Sequence, residues 1–268
     1  MSESADFHWG TDAVDVTEKS LPSLKARFLI DHVPMSGRVM EIGCGGGKLL
    51  RTLKRHRPRL ELFGCDVRMP REKPEGFAFR QIAPTRKLPF ENASLDAVLV
   101  FDVLEHVPDP DATLSEAARV LSPGGRLVAF VPVEGELFSF YTLWRKALGD
   151  DVYAETKEHI QAFTHADLRA RIERRFQIAE LRYAYHALGQ MMDSTFFAAH
   201  KMKFLREMFW RENVYYNGEK SEPSIASRVF NGLLQLGNVA AWGESMALSS
   251  SQLGAAGILL DARIRGAD

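Results

Sequence analysis

Residues 39 to 50 read VMEIGCGGGKLL, an apolar run that enters a cluster of glycines and leaves as a leucine-containing segment. Glycine lets a backbone turn sharply and approach a ligand closely, so such a loop after a strand is a ligand cradle. Nucleotides, dinucleotides and sulfonium cofactors all use turns of this kind, and spacing narrows the choice. A dinucleotide fingerprint G-x-G-x-x-G starting at Gly43 requires glycine where Lys48 stands, and one starting at Gly45 requires it where Leu50 stands. The run is E-x-G-x-G-x-G instead. Glu41 puts a carboxylate near the space of a pyrophosphate, which disfavours an anion and favours an ammonium or a sulfonium. Asp66 ends the next apolar run, LELFGCD, where a carboxylate can accept hydrogen bonds from both hydroxyls of a ribose in either cofactor class. Its plain alternative is a turn or N-cap aspartate.

The segments around this loop alternate in type. Leu21, Leu24, Phe28 and Leu29 make a helical stripe after Ser20, a predicted N-cap with Pro22 in the first turn, and Gly37 separates that helix from a strand at 38–42. LELFGCD, FAFRQI, LDAVLV and RLVAFV supply the second to fifth strands. Leu114, Ala117, Ala118 and Leu121 form a helix face opened by PDPDA and closed by SPGG. Thr164 with Asp167 resembles a capping box for a helix containing Leu168 and Ile172; RFQIAELRYAY reads as a sixth strand and AAGILLDARI as a seventh. Strands alternating with helices predict an α/β fold with a doubly wound, mainly parallel sheet, whose ligands bind at the carboxyl ends of its strands.

With 268 residues, 46% of them hydrophobic, the chain can bury the core of one domain, and a net charge of -1 lacks the basic excess of a general nucleic-acid binder. The first residues show no basic start and no apolar stretch, and no segment reaches the roughly 18 apolar residues of a membrane span, so a soluble cytoplasmic protein is expected. Cys44 and Cys65 read as reduced packing thiols. A single domain over 1–268 divides into an N-terminal cap and helix (1–36), a core (37–186), an insertion (187–250) and the last strand (251–268). The insertion is too long for an ordinary connection and carries Met191, Met192, Phe196, Phe197, Phe204 and Trp210. It is a cover on the sheet or a lid over a bulky, partly apolar acceptor. Within it, HKMKFLREMFWRE interleaves Lys201, Lys203, Arg206 and Arg211 with apolar residues, a pattern consistent with transient contact with a membrane bearing a lipid acceptor. Phe7 and Trp9 of the N-terminal DFHWG are anchors of a flap or part of a frayed tail.

VMEIGCGGGKLL, FGCDV, LPFENASLDAVLVFDVLEHVPDP and LSPGGRLVAFVP, taken in that order, resemble the motifs of class I S-adenosylmethionine-dependent methyltransferases of the small-molecule type. The resemblance covers roughly residues 20–185. It implies a Rossmann-like, seven-stranded sheet with an antiparallel last strand and S-adenosyl-L-methionine as cofactor. By that resemblance Glu41 faces the methionine ammonium through water, Gly43, Gly45 and Gly47 line the methionine and ribose, Asp66 holds the ribose and Val67 packs on adenine. Phe101 and Asp102 lie near the methionine end. Many relatives have an aspartate before LPF that accepts from the adenine amine; Pro84 stands there in this chain, which leaves adenine to backbone groups near Thr85 or to stacking.

A sulfonium methyl is already activated, so such an enzyme mainly aligns its acceptor and excludes water; an oxygen acceptor also needs a base or a metal to release its proton. If residues 102 to 106 begin a helix, Asp102, Glu105 and His106 fall at i, i+3 and i+4 and converge. This D-x-x-E-H run is similar to the E-x-x-E-H metal ligands of ubiquinone-pathway and small-RNA methyltransferases, and His159 matches a further histidine of the RNA-modifying group. The resemblance thereby makes Asp102, Glu105, His106 and His159 candidate ligands for a metal such as Mg2+. His106 and His159 are the candidate catalytic residues, His106 also as a proton acceptor without metal. The expected activity is methyl transfer to a small or lipid-like acceptor at oxygen. Its rivals are an NAD-dependent oxidoreductase on the same sheet and a non-catalytic binding module.

Overall fold

The computed structural model describes residues 12–70, 74–83, 87–136, 139–148, 159–201 and 225–265. Phe7, Trp9, Pro84, Thr85 and most of HKMKFLREMFWRE lie outside them, and so do the expectations placed on those residues.

Helix α1 (Leu21–His32) begins where the sequence says it should: Ser20 accepts from the Ser23 N–H, Ser23 returns the bond to the Ser20 backbone, and Pro22 stands in the first turn. Strand β1 (Gly37–Ile42) leads through the glycine loop into α2 (Lys48–His56), followed by β2 (Leu60–Asp66), β3 (Ala78–Gln81) and β4 (Leu95–Phe101). Helix α3 (Pro110–Val120), capped by Asp109, leads into β5 (Leu121–Pro132). SPGG was expected simply to close α3, yet Leu121 already pairs with Leu95 and the register then jumps to Ala97 opposite Arg126. Ser122–Gly125 is therefore an excursion within β5, with Gly124 in the left-handed region at φ +79°. The remaining elements are α4 (Phe140–Leu148), α5 (His165–Glu173), β6 (Phe176–Ala184), α6 (Ala187–Lys201), α7 (Ile225–Ala247) and β7 (Gly257–Ile264). Thr164 caps α5 by accepting from the Asp167 N–H.

The seven strands form one sheet in the order β3-β2-β1-β4-β5-β7-β6, parallel except for β7, which runs antiparallel to both β5 and β6. Alternation along the central strands divides the core. Met40, Val98, Val100, Leu127 and Ala129 pack with Leu114, Ala117, Leu168 and Ile172 on the α3/α5 face. Val39, Ala97, Leu99, Val128 and Phe130 pack with Leu24, Phe28, Leu29, Leu50 and Leu53 on the α1/α2 face. In the insertion, Glu244 of α7 accepts from the Leu188 and Gly189 N–H groups at the start of α6, where a carboxylate suits the helix dipole. No helix among the described residues is long and apolar enough to cross a membrane.

Strand order reverses between β1 and β4, which opens a crevice at their carboxyl ends. The rigidity of this edge depends on buried residues such as Leu99, which is fully buried and pairs with Glu41 and Val128. Leu99→Ala should cost about 2–5 kcal/mol of unfolding free energy through lost burial and a residual cavity. Urea denaturation of the two proteins measures this directly.

Candidate active site

The glycine loop takes its shape from left-handed backbone at Gly43, Gly45 and Gly47, with φ +69°, +50° and +81°. The Gly43 and Cys44 N–H groups both donate to the Cys65 carbonyl, at 2.7 and 3.1 Å, tying the loop to the end of β2. A Cβ at Gly43 would lie 2.5 Å from Val103, so the post-β4 segment can approach only because this residue is glycine. Asp66 is fixed from two sides: one carboxylate oxygen accepts from the Gly45 N–H at 2.8 Å, the other from the Arg68 N–H at 2.9 Å. It does the work of a turn aspartate, and each oxygen retains a lone pair for a ligand. Val67 beside it is exposed. Cys44 and Cys65 are free and buried, and burial pushes both thiols up, Cys65 to about 12.

Two further carboxylates stand at this edge. Glu41, near the end of β1, is buried with Oε2 lacking any hydrogen-bond partner. Burial, with Asp66 and Asp102 nearby, holds its carboxyl well above the usual range. Asp102 follows Phe101 in the left-handed region at φ +52° and meets Lys25 of α1, with Nζ 2.7 and 2.9 Å from its two oxygens. The Lys25 ammonium also lies 3.6 Å from the centre of the Phe130 ring and 5.2 Å from that of Tyr185. Burial alone would depress Lys25, but the combined attraction of Asp102, Tyr185 and Glu105 raises it.

Asp102 does not begin a helix. Residues 104–106 form a turn closed by the His106 N–H donating to the Val103 carbonyl, and Asp102 points away to Lys25. The convergent group is instead Glu105, His106 and His159, each offering a ligand atom within 4.8 Å of the others. Backbone bonds bring the distant histidine in: the Ile160 and Gln161 N–H groups donate to the Glu105 carbonyl at 2.9 and 3.0 Å. His106 and His159 meet edge to face at 4.7 Å between ring centres. His159 Nδ1 lies 2.8 Å from Oε2 of buried Glu134. Glu105 is also buried, with neither carboxyl oxygen hydrogen-bonded and Oε1 3.8 Å from His106 Nε2; burial and nearby Asp102 raise its carboxyl. Magnesium does not fit this donor set, because two imidazoles and one carboxylate suit a transition ion better than a hard, oxygen-seeking cation.

A family model described as a methyltransferase domain matches residues 40–129. The ubiquinone biosynthesis O-methyltransferase of Xylella fastidiosa is 34% identical over 116 residues, covering 40% of this chain and 47% of that protein. The demethylmenaquinone methyltransferase of Thermus thermophilus is 32% identical over 136 residues, covering 48% and 56%. The chain spans about half the length of these curated relatives. Over residues 40–129 the chain carries a methyltransferase domain. Among solved structures, phosphoethanolamine N-methyltransferase 2 of Haemonchus contortus, in complex with S-adenosyl-L-methionine, is similar at a TM-score of 0.53 and 16% identity, covering 90% of this chain and 52% of that one. The cyclase SpnF is similar at 0.55 and 18% identity, covering 96% and 86%. At such identities the likeness is one of fold.

The sequence places the glycine loop and Asp66 at the carboxyl ends of the strands, and the structure has them there, with His106 and His159 meeting beyond the end of β4. Sequence reasoning missed Lys25, Glu134, Phe130 and Tyr185. A signal for Lys25 was available, since it stands four residues after Leu21 and four before Leu29, inside the buried stripe of α1. Glu134 follows the apolar run of β5, at a carboxyl end where ligands bind.

The raised carboxyl of Glu41 has a consequence for stability. Its folded state holds a proton that the unfolded chain releases above the ordinary value of 4.5, so this group's contribution to stability is full below that value and falls as pH rises past it. Glu41→Gln should therefore raise Tm of the ligand-free protein, by an increment that grows between pH 5 and 8. Thermal melts of both proteins across that range check the sign.

Proposed function

We propose that this chain transfers a methyl group from S-adenosyl-L-methionine to an oxygen atom of a small or lipid-like acceptor. One observation carries the reading: Glu41 Oε2 is buried without a partner beside a loop built for close backbone approach. With Asp66 and Asp102 it makes a cluster of carboxyls that disfavours a pyrophosphate, and a ligand bearing ammonium and sulfonium groups satisfies it by drawing the proton off Glu41. Gly43, Gly45 and Gly47 form the cradle, Asp66 takes the ribose hydroxyls, exposed Val67 meets the adenine, and Phe101 and Asp102 bound the methionine end. Lys25 supplies the positive charge that complements a carboxylate there.

Bound in that cradle, the cofactor supplies a methyl group already activated on sulfur. The chain's own tasks are to orient the acceptor, exclude water and take up the acceptor proton, which falls to His106 and His159. The ubiquinone and demethylmenaquinone named for the two relatives support a lipid-like acceptor. So do Val229, Leu233 and Leu236, which leave an apolar face of α7 exposed.

Incubation with methyl-labelled cofactor and fractionated aqueous and lipid extracts should yield a labelled methyl ether. Label on nitrogen would reassign the acceptor atom, and binding of NADH in place of S-adenosylhomocysteine would remove the reading altogether. Asp66→Ala should lose charge-assisted hydrogen bonds of about 1.5–3 kcal/mol, weakening S-adenosylhomocysteine roughly ten- to hundredfold by calorimetry without unfolding the domain. Unchanged affinity would place the ribose elsewhere.

A further inference from the structure

We propose that Glu134 makes His159, rather than His106, the proton acceptor of this site, by fixing which ring nitrogen of His159 carries the lone pair. The inference rests on the oxygen-methylation reading above. A carboxylate oxygen only accepts, so the 2.8 Å contact between Glu134 Oε2 and His159 Nδ1 puts the proton on Nδ1 and leaves Nε2 as the lone-pair nitrogen. Both partners are held: Glu134 is 3% exposed, and the His159 side chain 12% against 31% for His106. The clamp is built into the backbone. Gly135 donates its N–H to the Phe163 carbonyl at 2.9 Å, and a Cβ there would lie 2.7 Å from the Ala162 carbonyl oxygen, so the segment carrying His159 can lie against residue 135 only because it is glycine. With Ile160 and Gln161 bound to the Glu105 carbonyl, His159 is fixed between Glu134 and the His106 ring.

A carboxylate-backed imidazole is the arrangement that removes a proton from a hydroxyl. It is superfluous for an acceptor already deprotonated at neutral pH, such as a carboxylate, and it serves an alcohol or phenol, which keeps its proton there. The acceptor O–H proton passes to His159 Nε2 while the oxygen forms its bond to the methyl carbon. The carbon–sulfur bond breaks with its electron pair remaining on sulfur, leaving a neutral thioether, an ether product and an imidazolium facing the Glu134 carboxylate. The proton then leaves to water on the more exposed His106 side. Glu134 touches none of the reacting atoms and is a positioning residue.

Long-range proton–nitrogen correlation NMR of the full chain with nitrogen-15 histidine tests this directly, His159→Gln identifying the His159 signals. For the neutral ring, Nδ1 should be of the protonated type and Nε2 of the lone-pair type. Glu134→Gln, whose amide oxygen still accepts, should preserve that tautomer, and Glu134→Leu should lose it. A scaffolding role alone would shift the backbone signals of Gly135 and Ile160 and leave the tautomer unchanged. Wild-type His159 protonated on Nε2 overturns the proposal, whether or not the Leu variant folds. In the labelled-methyl assay His159→Gln should lower kcat by about a hundredfold or more, a larger loss than His106→Gln causes; the reverse order also overturns it. Calorimetry with S-adenosylhomocysteine separates the two readings. No binding to wild type removes the methyltransferase reading and leaves the tautomer result standing, whereas binding with the wrong tautomer removes only the Glu134 assignment.

Discussion

Carboxylates gather at the carboxyl ends of three adjacent strands: Glu41 on β1, Asp66 on β2 and Asp102 directly after β4. Like charges brought together in a poorly solvated edge repel strongly. The fold relieves each differently. Asp66 is met by the N–H groups of Gly45 and Arg68, which is one reason the loop must turn as it does. Asp102 is met by Lys25, which ties the first half of α1 to this end of the sheet. Glu41 is left with an unpartnered oxygen and a raised carboxyl, so its demand is the one that a cationic ligand answers.

The sheet was legible because its signals are local. Apolar runs such as LDAVLV and RLVAFV are rich in valine and leucine over the length of a strand, and buried parallel strands require that composition. The loop was legible for the same reason: left-handed backbone at Gly43, Gly45 and Gly47 leaves glycines in the sequence. The histidine cluster was only partly legible. Asp102, Glu105 and His106 share a spacing that converges on a helix, but one left-handed residue at Asp102 turns its side chain toward Lys25, and propensity gives no warning when a non-glycine residue takes that conformation. Glu134 and His159 are separated by 25 positions and meet through backbone bonds that side-chain patterns do not encode. Lys25 lay hidden among leucines, because a stripe of apolar residues draws attention from the single charge within it.

The two halves of the site are supported differently. The cofactor cradle stands on strand ends and helix starts, elements fixed by a core on both faces of the sheet. The histidine cluster stands on three loops, at residues 102–106, 134–135 and 159–163, joined through main-chain hydrogen bonds. Such a division lets the loops change while the cradle persists, which fits a fold shared here with a phosphoethanolamine N-methyltransferase and with a cyclase. The particular chemistry of this chain must then be sought where the loops place groups that the cradle does not require. Glu105, His106, Glu134 and His159 are those groups: two buried carboxyls and two imidazoles, of which His106 is the more exposed, beyond the strand that ends in Phe101. A site that only had to hold a nucleophile next to an activated methyl group would have no need to bury them, since each buried polar group costs solvation that aligned apolar contacts would not. Their burial is accounted for if protons must move there, and it is the loops, rather than the sheet, that carry that requirement.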